Sequence, residues 1–501
     1  MPPTGANMEA GPARKINAAF LVLGLLWLLR LHAHLVAYPH PLEVQEGCME
    51  VSTRLILQGR NPWALDLQPQ ANNCYGAGFP LLAAALGRLF GAPTLVGLRA
   101  ISAAFVLGSC LLFYGALRRL RAGPLESGWL ALMLYACLLY YSSPLARPDA
   151  QGLFFFLAAI LLPLAFDPRP YAWACCGALA CLACLTKLYF GLAFVLPFLW
   201  LAAQGRWGDL ARLSLGFAAL AAGALWAILR WGDIYLYTTL FNYFSDLVNN
   251  HPDYVRFQLW TYAARQFLPS LALGLALTWA ASRQAGLSRA RVWILFSCAT
   301  LLLFILKLGG NYGSYLVYLY QWNLPFALLA LATLFEALPQ GLRPLLPWAL
   351  ALQWLVLAHG LAVEQPQEDL QTLASWETVE TEAVRSHRLF APWDLASWQV
   401  EHGREVQDAG QRSDFLHAAE ISRRWPGLFP RGAEIEAQVA KVEAREDREL
   451  RDGDYDLVML HKTDLRRRAL VEKKYRLLGW VPLAYPQGKG FEVILAYRLK
   501  S

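Results

Sequence analysis

Apolar residues in this chain gather into long unbroken runs rather than into the short stripes or alternations of a soluble fold, and the runs stop at residue 363. Segments near the ~20 residues that cross a bilayer predict helices over 16–37, 94–117, 126–145, 150–166, 171–186, 188–204, 213–229, 267–281, 292–306, 315–337 and 345–363. About 11 spans leave the two termini on opposite sides of the membrane. The first run follows Arg14 and Lys15, exceeds the length of a signal-peptide apolar core and has no small-residue cleavage site after it. It therefore reads as a retained span.

Between the first two spans lies a long connection, 38–93, and it is patterned. In "PLEVQEGCMEVSTRLILQGRNPW" Val44, Met49, Val51, Leu55 and Ile56 recur at partly helical spacing, predicting an amphipathic helix lying on the membrane surface. "GFPLLAAALGRLFG" (78–91) is too short to span and reads as a second interfacial segment. After residue 363 the pattern changes: "PQEDLQTLASWETVETEAV" and "GAEIEAQVAKVEARED" have helical periodicity, "RLFAPW", "YDLVML" and "FEVILAYRL" are strand-length apolar runs, and "TDLRRRALVEKKY" opens a helix near Thr463. The fold class is thus mainly α: a polytopic membrane helical bundle, 1–363, carrying a small C-terminal α/β domain, 364–501.

Composition agrees, with 56% hydrophobic and only 16% charged residues in 501, outside the range of ordinary soluble domains. The loops on the side of the N-terminus hold 12 Lys or Arg in 52 residues, against 9 in 106 on the other side. The positive-inside rule then puts the N-terminus in the cytoplasm and the 364–501 domain outside. The net charge of +7 is scattered over short loops and forms no basic patch, so no nucleic-acid partner is expected. Seven of the nine cysteines lie in spans, where "CCGALACLAC" (175–184) is a set of small packing residues rather than a metal cluster. Cys48 and Cys74 share the outer connection, where an oxidising compartment would permit a disulfide.

Ionisable groups at membrane depth are costly and face interior cavities, and on the outer side they converge on helix ends. Glu43, Glu46 and Glu50 sit in the first connection, Arg147 and Asp149 in "RPD" between two spans, Lys187 between two more, and Lys307 before "GGNYG". Carboxylates and cations at one level suit a site where a carboxylate deprotonates an acceptor while cations hold a phosphate. Each also has a plainer reading: Pro148 with Asp149 is ordinary helix-start chemistry, Lys187 suits a snorkelling role at a tight turn, and Glu43 and Glu50 suit the solvated face of an amphipathic helix. No P-loop, dinucleotide fingerprint or zinc spacing occurs.

The segments "PLEVQEGCMEVSTRLILQGRNPW", "YGAGFPLLAAALGRLFG", "LARPDAQGLFFFLA", "CLTKLYFGLAF" and "GGNYGSYLVYLYQWNLPF", in this order, resemble the polytopic GT-C glycosyltransferases of the aminoarabinose transferase and protein O-mannosyltransferase kind. The resemblance implies a bacterial inner-membrane enzyme that moves a sugar from a polyprenyl-phosphate donor to a lipid, glycan or protein acceptor of the envelope, on the periplasmic face. It also implies a first-loop acid, commonly from an Asp-Glu pair. This chain has Gln45-Glu46 there, so Glu46 takes the role with Glu43 in reserve. The resemblance gives Arg147, Asp149 and Lys187 to the lipid phosphate, and Lys307 joins them. A divalent metal is the one cofactor to consider, although no ligand set matches. The alternative reading is a membrane transporter or an envelope polysaccharide polymerase or ligase.

Overall fold

The structure is a computed structural model that describes residues 11–43, 45–91, 93–141, 145–165, 169–239, 253, 256, 289–308, 319–333, 335, 341–364, 370–409, 415, 431–484 and 491–500. The span expected at 267–281 and the "GGNYG" segment lie outside the described residues.

The apolar runs fold as helices close to their expected bounds: α1 (Pro12–Ala37), α4 (Leu95–Arg119), α5 (Pro124–Tyr141), α6 (Asp149–Ala165), α7 (Pro170–Thr186), α8 (Leu192–Ala203), α9 (Trp207–Trp231), α10 (Arg289–Leu308), α11 (Leu324–Ala332) and α12 (Leu346–Glu364), with α2 (Glu46–Leu57) and α3 (Gly78–Phe90) in the first connection. Three of them, α1, α4 and α9, are both long and apolar enough to cross a membrane among the described residues. α4 packs on α6, α6 on α7, α7 on α9 and α5 on α12. The α7–α9 crossing depends on small residues. A Cβ at Gly177 would come within 2.0 Å of the Leu213 carbonyl oxygen, and one at Gly216 within 2.0 Å of that of Ala174. Such close backbone approach is how membrane helices associate where lipid removes the hydrophobic drive. Cys176 sits in the same contact with Trp173, Leu201 and Leu213, a packing residue as its setting predicts.

The C-terminal region forms a four-stranded sheet in the order β1 (Leu389–Phe390), β2 (Leu457–His461), β4 (Phe491–Leu499), β3 (Tyr475–Ala484). β1 pairs parallel with β2, and the other pairs are antiparallel. Alternation of side chains across the pleat feeds two apolar layers. Leu457, Met459, Ile494 and Ala496 join Trp376, Val379 and Ala383 of α13 (Leu370–Val384). Val458, Leu460, Leu495 and Tyr497 join Leu450 of α15 (Gly432–Asp452) and Val471 of α16 (Leu465–Lys474). β3 was not expected. It follows α16 without an intervening Gly or Pro, so the sequence carries no boundary signal between them.

The first connection lies between bundle and sheet. His40 stacks on Trp376 with ring centroids 5.0 Å apart, and its Nδ1 is 3.1 Å from the Glu380 carboxylate. Ala409 donates its N–H to the Gln70 carbonyl at 2.9 Å. The short helix α14 (Ala396–Glu401) packs on α2, with Ala396 beside Cys48 and Met49 in one apolar cluster. α2 is therefore amphipathic but does not lie on the lipid surface as expected; it is buried on nearly every side between two protein layers. α3 keeps the interfacial character, with Leu89 and Phe90 exposed at its end. Cys48 and Cys74 are both thiols, not the expected disulfide. The Cys48 Sγ turns back along its own helix to donate to the Gln45 carbonyl at 3.0 Å, which fixes its direction.

Candidate active site

α1 ends at Ala37, and the chain then turns back so that α2 starts at Glu46, aiming its first carboxylate into the bundle. Arg99, one turn into α4, meets it at two points: Nε donates to Oε1 at 2.9 Å and Nη2 to Oε2 at 2.7 Å. The Ala146 and Leu42 N–H groups donate to the same two oxygens at 2.7 and 2.6 Å. Arg99 also donates to the Tyr38 and His40 carbonyls. Both side chains are fully buried. Four donors engage the carboxylate, and two of them are charge-assisted, so Glu46 ties α2, α4 and the turn before α6 together. Both Glu46 oxygens, expected to accept a proton, are engaged by donors of the protein itself. Arg99 escaped notice because it lies inside the apolar run read as the span 94–117.

One turn away in sequence, Glu43 faces a different set. Its Oε2 is 3.3 Å from Arg147 Nη1 and accepts the Gln45 N–H at 3.2 Å. Arg147 Nε lies 3.3 Å from Asp149 Oδ2. The other Asp149 oxygen accepts from Lys187 Nζ and from the Tyr189 hydroxyl, both at 2.9 Å, and lies 3.5 Å from Gln321 Nε2. Asp149 is the first residue of α6, with Pro148 before it accepting the Gly152 N–H at 2.9 Å. The helix-start reading thus holds for this pair, and the same Asp149 carboxylate also meets the two cations.

Aromatic rings close the cluster. Lys187 Nζ lies 4.7 Å from the Tyr75 ring centroid and 4.8 Å from that of Tyr189, cation–π distances. Arg147 donates to the Tyr75 hydroxyl at 2.8 Å, which bonds in turn to the Gln45 side chain. Burial raises the Tyr75 hydroxyl pKa well above its ordinary range, so it stays protonated. Lys187 points into this cluster and not out to an interface. Tyr75 reaches it because Gly76 donates its N–H to the Thr186 carbonyl at 3.0 Å. No side chain fits there, since a Cβ at Gly76 would stand 2.0 Å from the Leu185 carbonyl oxygen. α7 ends at Thr186, and Lys187 takes extended backbone (φ −157°, ψ 126°).

Two cations and two carboxylates are thus interleaved, with Arg147 the most open of the four at 15% side-chain exposure, against 9% for Glu43, 8% for Lys187 and 3% for Asp149. Glu50 is not among them. It faces the C-terminal layer, where burial first and the Glu401 carboxylate second push its pKa up to about 8. Lys307 falls in the last turn of α10, and its side chain is outside the described residues. Among the described residues no group of three or more His, Cys, Asp or Glu side chains is arranged for a metal ion. The site carboxylates are met by guanidinium and ammonium groups instead.

The architecture is shared with solved structures along nearly the whole chain. ArnT from Cupriavidus metallidurans, in a crystal structure bound to undecaprenyl phosphate, superposes with a TM-score of 0.55 at 14% identity, covering 96% of this chain and 97% of that one. The apo state of the same protein matches with the same TM-score and identity. The Archaeoglobus fulgidus oligosaccharyltransferase, in a complex with zinc and sulfate, gives a TM-score of 0.52 at 13% identity over 94% of this chain and 72% of that one. No protein-family model matches the sequence, and no curated protein does. Both neighbours are GT-C glycosyltransferases, and this chain has their fold.

Proposed function

We propose that the protein transfers a sugar from a polyprenyl-phosphate-linked donor to a lipid, glycan or protein acceptor of the bacterial envelope, acting at the periplasmic face of the inner membrane with its 364–501 region on that side. The observation that carries the reading is Asp149 holding Arg147 and Lys187 together beneath two tyrosines, with Arg147 the most open of the charged groups. A pair of cations fixed by a shared carboxylate is preorganised for the phosphate of such a donor. The undecaprenyl phosphate bound by the ArnT neighbour is a ligand of this chemistry.

In this mechanism the acceptor hydroxyl or amine attacks the anomeric carbon and gives its proton to a carboxylate. The bond from that carbon to the phosphate oxygen breaks, and the electron pair leaves on the phosphate, where Arg147 and Lys187 stabilise it. Glu43 is the base that the geometry favours over Glu46, because Arg147 is its charged partner. A phosphate competes for Arg147, and Glu43 is then left with fewer donors at the moment a base is needed. Tyr75 donates its hydroxyl proton to a phosphate oxygen or to Gln45.

Purified protein given a polyprenyl-phosphate sugar and candidate acceptors should release polyprenyl phosphate. Substrate movement without that release would identify a transporter. Alkaline phosphatase fused after Ser501 should be active, and an inactive fusion would put the 364–501 region in the cytoplasm.

A further inference from the structure

A second cavity, of about 180 Å³, opens within the C-terminal α/β region. It is formed where the end of β2 meets the one-turn 3₁₀ helix Trp393–Leu395 and the start of α16. His461 lies in its wall, with Nε2 2.9 Å from Oδ2 of the buried Asp394. The Trp393 ring lies 4.2 Å from the His461 ring, centroid to centroid, and its Nε1–H has no acceptor among the described residues. Gln407, Asp408, Thr463, Asp464 and Arg467 complete the polar lining. Arg467 is already committed, to Glu446 at 2.8 Å and to Asp464 at 3.3 Å. None of these groups takes part in the Arg147–Lys187 cluster.

The lining mixes hydroxyl-binding acceptors (the carboxylates) and donors (indole, imidazole, guanidinium) over the apolar side chain of Met459. Such density of both kinds suits a ligand that is itself donor and acceptor at each position, with an apolar face for an aromatic ring. The volume falls below the roughly 300–1,000 Å³ of sites for drug-sized ligands and suits a single ring. Two carboxylates, Asp408 and Asp464, stand against one guanidinium that is already neutralised, which disfavours an anionic ligand. Thr463 adds a hydroxyl that both donates and accepts.

We infer that this cavity binds one neutral or cationic saccharide ring, as a site separate from the phosphate-binding cluster. It has a route to that cluster. The segment leaving the cavity wall at Leu395 continues as α14, whose Ala396 packs on α2 beside Cys48 and Met49. A sugar held here is therefore held by the element that braces the first connection. The inference needs binding alone and stands apart from the transferase reading.

The test is saturation-transfer NMR on the full chain in lipid nanodiscs, free of sugar-headgroup detergent, with glucose, protonated glucosamine and glucuronate as probes. Glucose and glucosamine should receive saturation and glucuronate should not. Trp393→Ala and Asp408→Asn should each weaken binding by about tenfold or more, the loss expected for one charge-assisted or stacking contact, whereas Arg147→Ala should leave it unchanged. Asp408→Asn keeps size and is the arm to read should Trp393→Ala fail to fold. No transfer from the wild-type protein to glucose or glucosamine, equal transfer to glucuronate, a signal that survives Asp408→Asn, or a signal lost only in Arg147→Ala would each overturn the inference.

Discussion

Glu46 and Arg99, 53 positions apart, form a fully buried two-point ion pair that joins the first helix of the outer connection to α4. Removing one member of a buried pair leaves the other charge uncompensated, at a cost of about 3–5 kcal/mol. Glu46→Gln and Arg99→Met should therefore lower the thermal midpoint and the yield of folded protein. Glu43→Gln should leave both near wild type while reducing turnover by about 10²- to 10⁴-fold, the range of a general base. A stable, inactive Glu46→Gln beside a fully active Glu43→Gln would return the base to Glu46.

In the proposed mechanism Arg147 and Lys187 face the phosphate in the ground state and the transition state alike, so their loss should appear in donor binding as well as in turnover. Lys187→Ala and Arg147→Ala are each expected to weaken donor binding by roughly ten- to a hundredfold, as for a hydrogen bond to a charged group. Arg147→Lys should not restore it, because an ammonium cannot meet Glu43, Asp149 and Tyr75 together as the guanidinium does. Binding of labelled polyprenyl phosphate is the measurement, and unchanged affinity in both alanine variants would remove them from the site.

Gly76 is a positioning residue. With a Cβ 2.0 Å from the Leu185 oxygen, Gly76→Ala must push the Tyr75 segment away from Lys187. The expected result is a loss of activity at least as large as that of Tyr75→Phe, with the larger share of the change in donor KM. Activity equal to wild type in Gly76→Ala would mean that this contact does not set the cluster.

Glu50 makes the docking of α2 on the C-terminal layer sensitive to pH. Its pKa is raised from 4.5 to about 8, chiefly by burial, so the folded state holds a proton that the unfolded state releases at lower pH. Its contribution to stability is present in full below about pH 4.5 and is lost as pH rises to about 8. Glu50→Gln, which copies the neutral form, should raise the thermal midpoint more at pH 8 than at pH 5. An equal shift at both pH values would show that Glu50 is already ionised in the folded protein.

Much of the bundle was legible in the sequence because hydropathy is a local property. The runs at 94–117, 150–166 and 171–186 appear as α4, α6 and α7 with ends displaced by only a few residues. The strands in "YDLVML" and "FEVILAYRL" read as strand-length apolar runs, and they are apolar throughout because both faces of the sheet are covered. Ionisable residues at helix ends were likewise found by cost alone, and Arg147, Asp149 and Lys187 do meet.

Partner choice was not legible. Glu43 and Glu46 are one helical turn apart and equally acidic on paper. Only the arrival of Arg99 from α4 and of the Ala146 amide encloses the second and leaves the first beside Arg147. Cys48 and Cys74 share a loop, yet one thiol turns to its own helix. Tyr75 and Tyr189, anonymous among 21 tyrosines, become the walls of a cation site when Gly76 docks on the end of α7. The sequence determines which groups are expensive to bury; which of them neutralise one another depends on contacts between segments far apart in the chain, and those form only when the helices pack.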